Sequence, residues 1–187
     1  DTYANFRDEY YFIEAGAAFG GRLFSYARSL IRAAAERNKP NELRLDEYTV
    51  DKMPRREQVT LAARPIYPDL EILQLSFSLD KMREYLGPDS PYVREILGVK
   101  SPQALADELV TGTALADPEL RAKLWQADLD ELQASDDPMI QLAVAVDDAA
   151  RALRKRYEDE VEAPSDLAYE QIANARFAIE GTDNYPD

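Results

Sequence analysis

Apolar residues recur every three or four positions through residues 3–38 of the chain. The stripe consists of Phe6, Tyr10, Ile13, Ala17, Gly21, Phe24, Ala27, Ile31 and Ala34. Because an α-helix has 3.6 residues per turn, this spacing predicts one long helix over residues 3–38. At about 1.5 Å per residue the helix would be about 54 Å long, which is longer than a compact domain of this size is wide. The pattern therefore predicts an elongated molecule.

Small residues fill the middle of this stripe, from Ala15 to Gly21. Small side chains let a neighbouring helix approach closely, so we expect a tight helix contact here. The adjacent glycines Gly20 and Gly21 together cost about 2 kcal/mol of helix propensity, so a kink at this point is the alternative.

Prolines and glycines divide the next part of the chain. Lys39-Pro40 ends the first helix, and residues 39–53 are expected to form an irregular connection. Pro54 is well placed to begin a short helix over residues 55–63. A further amphipathic helix is predicted over residues 70–86, with Gly87 as its stop. Its apolar face is predicted to comprise Leu70, Leu73, Phe77, Met82 and Leu86.

Four Ser-Pro or Asp-Pro pairs mark later helix starts, because the first residue accepts hydrogen bonds from free N–H groups and proline fits the first helical position. The pairs begin at Ser90, Ser101, Asp117 and Asp137. The last of these helices carries Ile140, Ala143, Val146, Ala150, Leu153, Tyr157 and Val161 at helical spacing. Pro164 is expected to kink or break it before a final helix over residues 165–180.

The composition supports the same fold class. The 187 residues include 27 Ala and only 7 Gly, and no segment alternates apolar and polar residues as a strand does. We therefore predict an all-α fold: an elongated bundle with long first and last helices and several short helices between them. The length fits one domain.

Charge and missing residue types exclude several function classes. The net charge of −14 repels phosphate backbones and anionic membrane surfaces, so we expect no nucleic-acid and no membrane partner. The chain has no Cys and no His, which excludes a disulfide, a thiol nucleophile, a Ser-His-Asp triad and a zinc site of the usual kind within it. We assign no catalytic, cofactor-binding or metal-binding residue and expect no cofactor.

The clusters of charged residues are better explained by structural ion pairs and helix starts than by a functional or metal-binding site. Arg154, Lys155 and Arg156 each precede an acidic residue by four positions, which is typical of ion pairs on a helix face. The acidic pairs 136–137 and 147–148 lack a further carboxylate that would complete a metal motif, and Asp147 is expected to face Arg151. The acidic residues at 128–131 match the first positions of an EF-hand calcium loop, but the sixth position of that loop is Gln133 where the EF-hand requires Gly, so we reject a calcium site here.

Two aromatic features are also expected to be structural. Trp125, four residues after Arg121, is predicted to pack in the core rather than to stack on a ligand. The amino-terminal aromatic residues cover more than one face of the first helix, which indicates burial both by this domain and by a neighbour. They are Tyr3, Phe6, Tyr10, Tyr11 and Phe12.

Several short strings together resemble one family of proteins. They are AERNKPN at 35–41, ARPIY at 63–67, LVTGT at 109–113, SDDPMI at 135–140, and ARFA at 175–178 followed by Gly181 and YPD at 185–187. These strings resemble the helical domain of bacterial dipeptidyl peptidases, the serine-peptidase family that includes types seven and eleven. In that family a chymotrypsin-like double β-barrel carries a Ser-His-Asp triad, and a large helical domain inserted into it caps the cleft.

The resemblance implies a division of the chain and a set of partners. Residues 1–181 would form a helical cap domain, and residues 182–187 would lead back into a β-barrel outside this chain. The start at Asp1 and the short tail after Gly181 likewise suggest a segment of a longer protein. The implied partners are the parent's own barrel and a peptide substrate at the domain interface, with the parent a possible homodimer. The implied location is periplasmic or secreted.

A second hypothesis belongs to a different class. The charge of −14 and the long exposed helices would also suit a free-standing acidic scaffold or adaptor that binds a basic protein. The two hypotheses differ in what the gene should encode on either side of this chain. A cap domain should be flanked by strand-rich sequence that contains a His and a Gly-x-Ser string. A free-standing scaffold should have no such flanking sequence.

Overall fold

The computed structural model describes residues 3–15 and 19–180. Over these residues the chain is helical and contains no strand, so the all-α prediction is confirmed. The α-helices are α1 Arg7–Glu9, α2 Arg22–Arg37, α3 Met53–Leu61, α4 Pro68–Leu86, α5 Pro91–Leu97, α6 Pro102–Gly112, α7 Pro118–Trp125, α8 Leu129–Gln133, α9 Pro138–Tyr157 and α10 Ala163–Glu180. Three 3-10 turns, Tyr3–Asn5, Asn41–Leu43 and Asp46–Tyr48, and two π-helical turns, Tyr10–Glu14 and Glu158–Glu162, complete the described chain.

Helix α2 lies at the centre of the fold. Eleven of its sixteen residues are buried, and α3, α7, α8 and α9 all pack against it. Helix α4 packs mainly against α6 and joins the same core. The core is built from aliphatic side chains such as Leu30, Leu79, Leu115 and Ile140, each almost completely shielded from water.

The prediction of one continuous first helix is wrong. The π-helical turn ends at Glu14, and α2 begins only at Arg22. Gly21 has a φ of 119°, which side chains rarely tolerate, and a Cβ on Gly20 would lie 2.9 Å from Ser78 Oγ on α4. The glycines therefore let the chain pass close to α4 just before α2 begins, but the preceding helical turn has already ended at Glu14, so the interruption is longer than a kink at the glycines. Ala17 and its neighbours at 16–18 lie outside the described residues.

The predicted apolar face of α4 is also partly wrong. Met82 is buried, but Leu70, Leu73 and Phe77 face solvent. The buried face instead carries Leu75 and Leu79 with the polar residues Glu71 and Ser78. The sequence has apolar residues on two opposite sides of this helix, and the buried polar residues on its inner side masked the true core face.

The four helix starts predicted from Ser-Pro and Asp-Pro pairs are confirmed. Helices α5, α6, α7 and α9 begin at the proline of each pair. The side chains of Ser101, Asp117 and Asp137 accept backbone N–H groups of the first turn, whereas Ser90 makes no such bond. Asp137 is held from outside its own helix as well, because Thr113 Oγ1 and the N–H of Ala114 both donate to it.

The carboxyl-terminal helices form one nearly continuous run. Pro164 was expected to kink or break the helix; no break occurs, and the π-helical turn Glu158–Glu162, a feature that commonly accompanies kinks, comes directly before α10. Residues 162–179 are exposed, including Ile172 and Ile179. At about 1.5 Å per residue, α10 adds about 27 Å of exposed helix. The predicted tail at 182–187 lies outside the described residues.

No helix in the described part of the chain is both long enough and apolar enough to span a membrane.

Candidate functional site

Ionisable residues between α2 and α9 form a buried network. Arg32, which is 3% exposed, donates from Nε to Asp147 Oδ1 at 2.8 Å and from Nη2 to Glu14 Oε2 at 2.7 Å. Arg151 joins the other oxygen of Asp147 to Glu36, with both nitrogen–oxygen distances at 2.5 Å. We call these five residues the α2–α9 ion network.

Two carboxylates of the α2–α9 ion network, Asp147 and Glu36, stay charged because they are paired. Burial by itself would raise the pKa of Asp147, but the hydrogen bonds and charges of Arg151 and Arg32 outweigh it and leave that pKa below its ordinary value. Burial of Glu36 is likewise outweighed, chiefly by hydrogen bonds from Lys39 Nζ, the N–H of Leu45 and Arg151, so its pKa is also lowered. The network therefore joins α2 to α9 structurally and offers no free carboxylate.

The ion pairs predicted for the charged clusters are confirmed. Asp147 faces Arg151, and the three basic residues 154–156 each pair with the acidic residue four positions later. Asp128 caps α8 by accepting the N–H of Glu131. No group of three or more potential metal ligands occurs within residues 3–15 and 19–180. The contacts of Arg32 with Glu14 and of Arg154 with Glu47 were not predicted, because they join residues far apart in the sequence.

The aromatic predictions are confirmed for Trp125 and in part for the amino-terminal cluster. Trp125 is buried in the core. Phe6 and Phe12 are buried, and the ring of Tyr10 stacks on that of Tyr157 at 4.3 Å between centroids. Tyr11 is largely exposed, and burial of the cluster by a neighbouring molecule stays a prediction.

Arg121 is a buried cation that the sequence did not indicate. It is 1% exposed, and it donates hydrogen bonds of 2.7–3.0 Å to the carbonyl oxygens of Thr60, Ala62, Leu115 and Ala116. Burial lowers its pKa. These bonds fix the end of α3 and the start of the α3–α4 connection against the segment that precedes α7. Arg121 thereby determines the position of the residues that follow Ala62.

A pocket of about 460 Å³ lies between the start of α2, the end of α3 and the start of α4. We call it the α2–α4 pocket; it is lined by Gly21, Arg22, Ser25, Tyr26, Val59, Arg64, Pro65, Tyr67, Leu70, Glu71 and Gln74. The Arg22 guanidinium donates to the carbonyl oxygen of Pro65 at 2.8 Å, which holds its side chain at the rim. The carboxylate of Glu71 accepts the N–H of Leu23 at 2.9 Å and so caps α2.

The exposed side of α4 continues from this pocket. Tyr67 and Leu70 line the pocket, and Leu73 and Phe77 follow at three and seven positions after Leu70. Between 47% and 63% of each of these four side chains is exposed. We call them the α4 apolar face. Large apolar groups grouped on one side of a helix are typical of a contact surface.

Sequence reasoning missed the pocket; the string at 63–67 contributed to the family resemblance without a role for its residues. The periodicity did group Leu70, Leu73 and Phe77 on one side of the helix, but it assigned that side to the core, whereas the structure exposes it. Pro65 and Pro68 constrain the backbone there and keep the connection between α3 and α4 short.

Comparison with known proteins gives a family over the complete chain. The family model described as Peptidase S46 matches residues 1–187. No curated protein matches the chain. The match agrees with the resemblance to dipeptidyl peptidases carried by the short strings. The chain belongs to the Peptidase S46 family.

Proposed function

We propose that the chain is the non-catalytic helical lobe of a serine dipeptidyl peptidase, which removes dipeptides from the amino termini of peptides. Residues 1–181 form the cap, and residues 182–187 lead back to the β-barrel domain that carries the catalytic residues. The parent enzyme acts in the periplasm or outside the cell and forms a homodimer. The lobe covers the cleft of the barrel and helps to position the peptide.

One observation carries this proposal: a chain that matches the Peptidase S46 family over residues 1–187, and that resembles serine dipeptidyl peptidases in its short strings, contains no His. A serine nucleophile of the chymotrypsin type needs a His as its general base, so the catalytic groups have to come from another part of the parent. The exposed α4 apolar face and the rigid core built on α2 suit a lobe that closes over a substrate. Closure excludes water from the site and holds the peptide in place.

The direct test compares three proteins on a fluorogenic dipeptidyl substrate. We expect the intact parent to release dipeptides and the 187-residue chain alone to release none. We expect the barrel without its helical lobe to lose most of its preference for a free amino terminus. Dipeptide release by the isolated chain, or an intact parent without dipeptidyl peptidase activity, would contradict the proposal.

A finer test examines the α4 apolar face in the parent. We expect Leu73→Glu to raise KM for peptides with little change in folding, because the side chain is exposed. Val99→Glu is the matched control, since Val99 is an exposed apolar residue in the connection between α5 and α6. An equal effect of both substitutions would remove the α4 apolar face from the proposal.

A further inference from the structure

We propose that a second pocket, between the turn Asp46–Tyr48 and the start of α3, binds the doubly charged phosphate group of a small organic molecule. The pocket has a volume of about 440 Å³, which is within the range of small-molecule sites. We call it the α3 pocket; it is lined by Glu47, Lys52, Arg55, Arg56 and Val59. The inference goes beyond the proposed function and does not depend on it, because the binding requires only residues of this chain.

Two guanidinium groups of the α3 pocket are available to an anion. Arg55 is exposed and Arg56 is half-buried. Within residues 3–15 and 19–180 neither lies within 4.0 Å of a carboxylate, although the protein as a whole carries a net charge of −14. An anion that enters the pocket would therefore meet two arginines without an ion pair of either having to break first.

The acidic groups at the α3 pocket are already engaged. Arg154 of α9 donates to both carboxylate oxygens of Glu47, at 2.7 and 2.9 Å. Burial alone would raise the pKa of Glu47, but the hydrogen bonds and the charge of Arg154 outweigh it and leave that pKa below its ordinary value. Lys52 pairs with Asp46 at 2.5 Å; both side chains are exposed, so this pair is weak and opens at little cost. The charge that remains for a ligand is positive.

Arg56 is held in place before a ligand binds. Its guanidinium lies over the ring of Tyr48, 5.3 Å from the centroid, and its Nε donates to the carbonyl oxygen of Glu47 at 3.4 Å. Tyr48 is buried in the core, so the support beneath the guanidinium is rigid. A side chain that is already ordered loses little conformational entropy on binding, which favours the association. The two terminal nitrogens of Arg56 make no hydrogen bond to the described residues and can donate to a ligand.

A phosphate group suits this set of donors. Arg55 and Arg56 are neighbours at the start of α3, and Lys52 directly precedes the helix. Each guanidinium presents paired donors in one plane, and the oxygens of a phosphate can accept from several such groups at once.

The size of the α3 pocket favours a phosphate carried by an organic group. Phosphate alone would fill only part of about 440 Å³, and Val59, which is 43% exposed, provides an apolar contact beside the cations. A nucleic acid or an anionic membrane fits less well, because each brings many negative charges towards a protein of net charge −14.

The test is a titration of the isotopically labelled 187-residue chain, followed by nuclear magnetic resonance at an ionic strength held constant with chloride. The probe is phenyl phosphate, and benzenesulfonate is its singly charged counterpart with the same ring. We expect phenyl phosphate to shift the amide signals of residues 47–59 saturably and to bind roughly tenfold more tightly than benzenesulfonate, because it carries a second charge. Inorganic phosphate is expected to shift the same signals but to bind several-fold more weakly than phenyl phosphate, since it lacks the apolar group.

The pH dependence separates a doubly charged ligand from a merely anionic one. A phosphate monoester loses its second proton near about pH 6, whereas arginine and lysine keep their charge far above it. The chain contains no His that would titrate in this range. Lowering the pH from about 7.5 to about 5 should therefore weaken binding of phenyl phosphate about five- to tenfold. Binding of benzenesulfonate, whose charge does not change, should stay the same.

Variants assign the binding to the α3 pocket. Arg55→Gln and Arg56→Gln are each expected to weaken binding of phenyl phosphate about fivefold or more, because each removes paired donors. Arg94→Gln is the matched control: it removes the same charge from an exposed arginine on α5 that does not line this pocket. Melting curves of the variants establish that a loss of binding is not a loss of folding.

Each contrary result overturns the inference. These results are no saturable shift of residues 47–59 in the unaltered chain, equal binding of phenyl phosphate and benzenesulfonate, an affinity for phenyl phosphate that does not change with pH, or equal effects of Arg55→Gln and Arg94→Gln. Binding of inorganic phosphate as tight as that of phenyl phosphate would refute the organic part of the ligand. All of these measurements are made on the chain itself, so their outcome does not depend on whether the parent is a peptidase.

Discussion

Replacing Arg121 by methionine is expected to be among the most damaging single changes in the protein. Met keeps much of the buried apolar volume but removes every donor to the carbonyl oxygens of Thr60, Ala62, Leu115 and Ala116. A buried acceptor left without a partner costs about 1–3 kcal/mol. Four of them at the low end give about 4 kcal/mol, a large part of the roughly 5–15 kcal/mol by which a domain is stable.

The assay is urea unfolding followed by circular dichroism and by the fluorescence of Trp125, the single tryptophan. We expect Arg121→Met to lower the free energy of unfolding by about 4 kcal/mol, or Tm by about 8–16 °C for a chain of this length. Should this variant not fold, Arg121→Lys keeps the charge with a smaller head that reaches fewer of the carbonyls, and about half the loss is expected.

The control is Arg94→Met on α5. Arg94 is exposed and pairs with Asp89 at the surface, so the change is expected to stay within about 0.5 kcal/mol. If Arg121→Met cost less than about 1 kcal/mol, or no more than this control, the carbonyl oxygens would have other partners and the reasoning would be refuted.

Three further predictions concern the helix contacts and the ion network. Gly20→Leu should lower Tm markedly, because a Cβ there would lie 2.9 Å from Ser78 Oγ; an unchanged melting curve would show that the contact is absent. Asp137→Ala should cost at least about 1 kcal/mol in urea unfolding, since the cap of α9 is lost, and a neutral result would contradict the assignment of that cap. Folding lowers the pKa of Asp147 and of Glu36. Their ion pairs therefore stabilise the fold above about pH 4, the ordinary pKa of these carboxyls. This stabilisation is lost as the pH falls from about 4 through the lower pKa values of the folded state. The urea midpoint should decline over that range, and Asp147→Asn should flatten the decline; an equally steep curve in this variant would argue against the pairing.

Much of the fold follows from local chemistry in the sequence. Each Ser-Pro or Asp-Pro pair places a capping acceptor and a proline where only a helix start accommodates both, so those four boundaries depend on adjacent residues alone. The all-α class follows from composition and spacing in the same way. The ion pairs within residues 154–160 connect positions four apart, so one helix defines them.

The remaining features depend on contacts between distant segments. Whether Gly20 and Gly21 interrupt a helix is decided by how closely α4 passes, which periodicity does not reveal. The buried side of α4 contains Glu71 because that carboxylate caps α2, 48 residues earlier in the chain. Arg121 is indistinguishable from a surface arginine in the sequence, since its partners are carbonyl groups, which every residue has. The α2–α4 pocket combines all three contacts and was therefore not predictable.

The turn Glu158–Glu162 sets the rotational phase of the last helix. A π-helical turn holds one more residue than the corresponding α-helical path, so everything after it is rotated by about 100° relative to an uninterrupted helix. By this geometry we expect the isoleucines of α10 to lie out of line with the buried residues of α9, although the sequence spacing between them looks regular. The direction in which Ile172 and Ile179 point is therefore expected to depend on the length of a turn that ends at Glu162, before α10 begins.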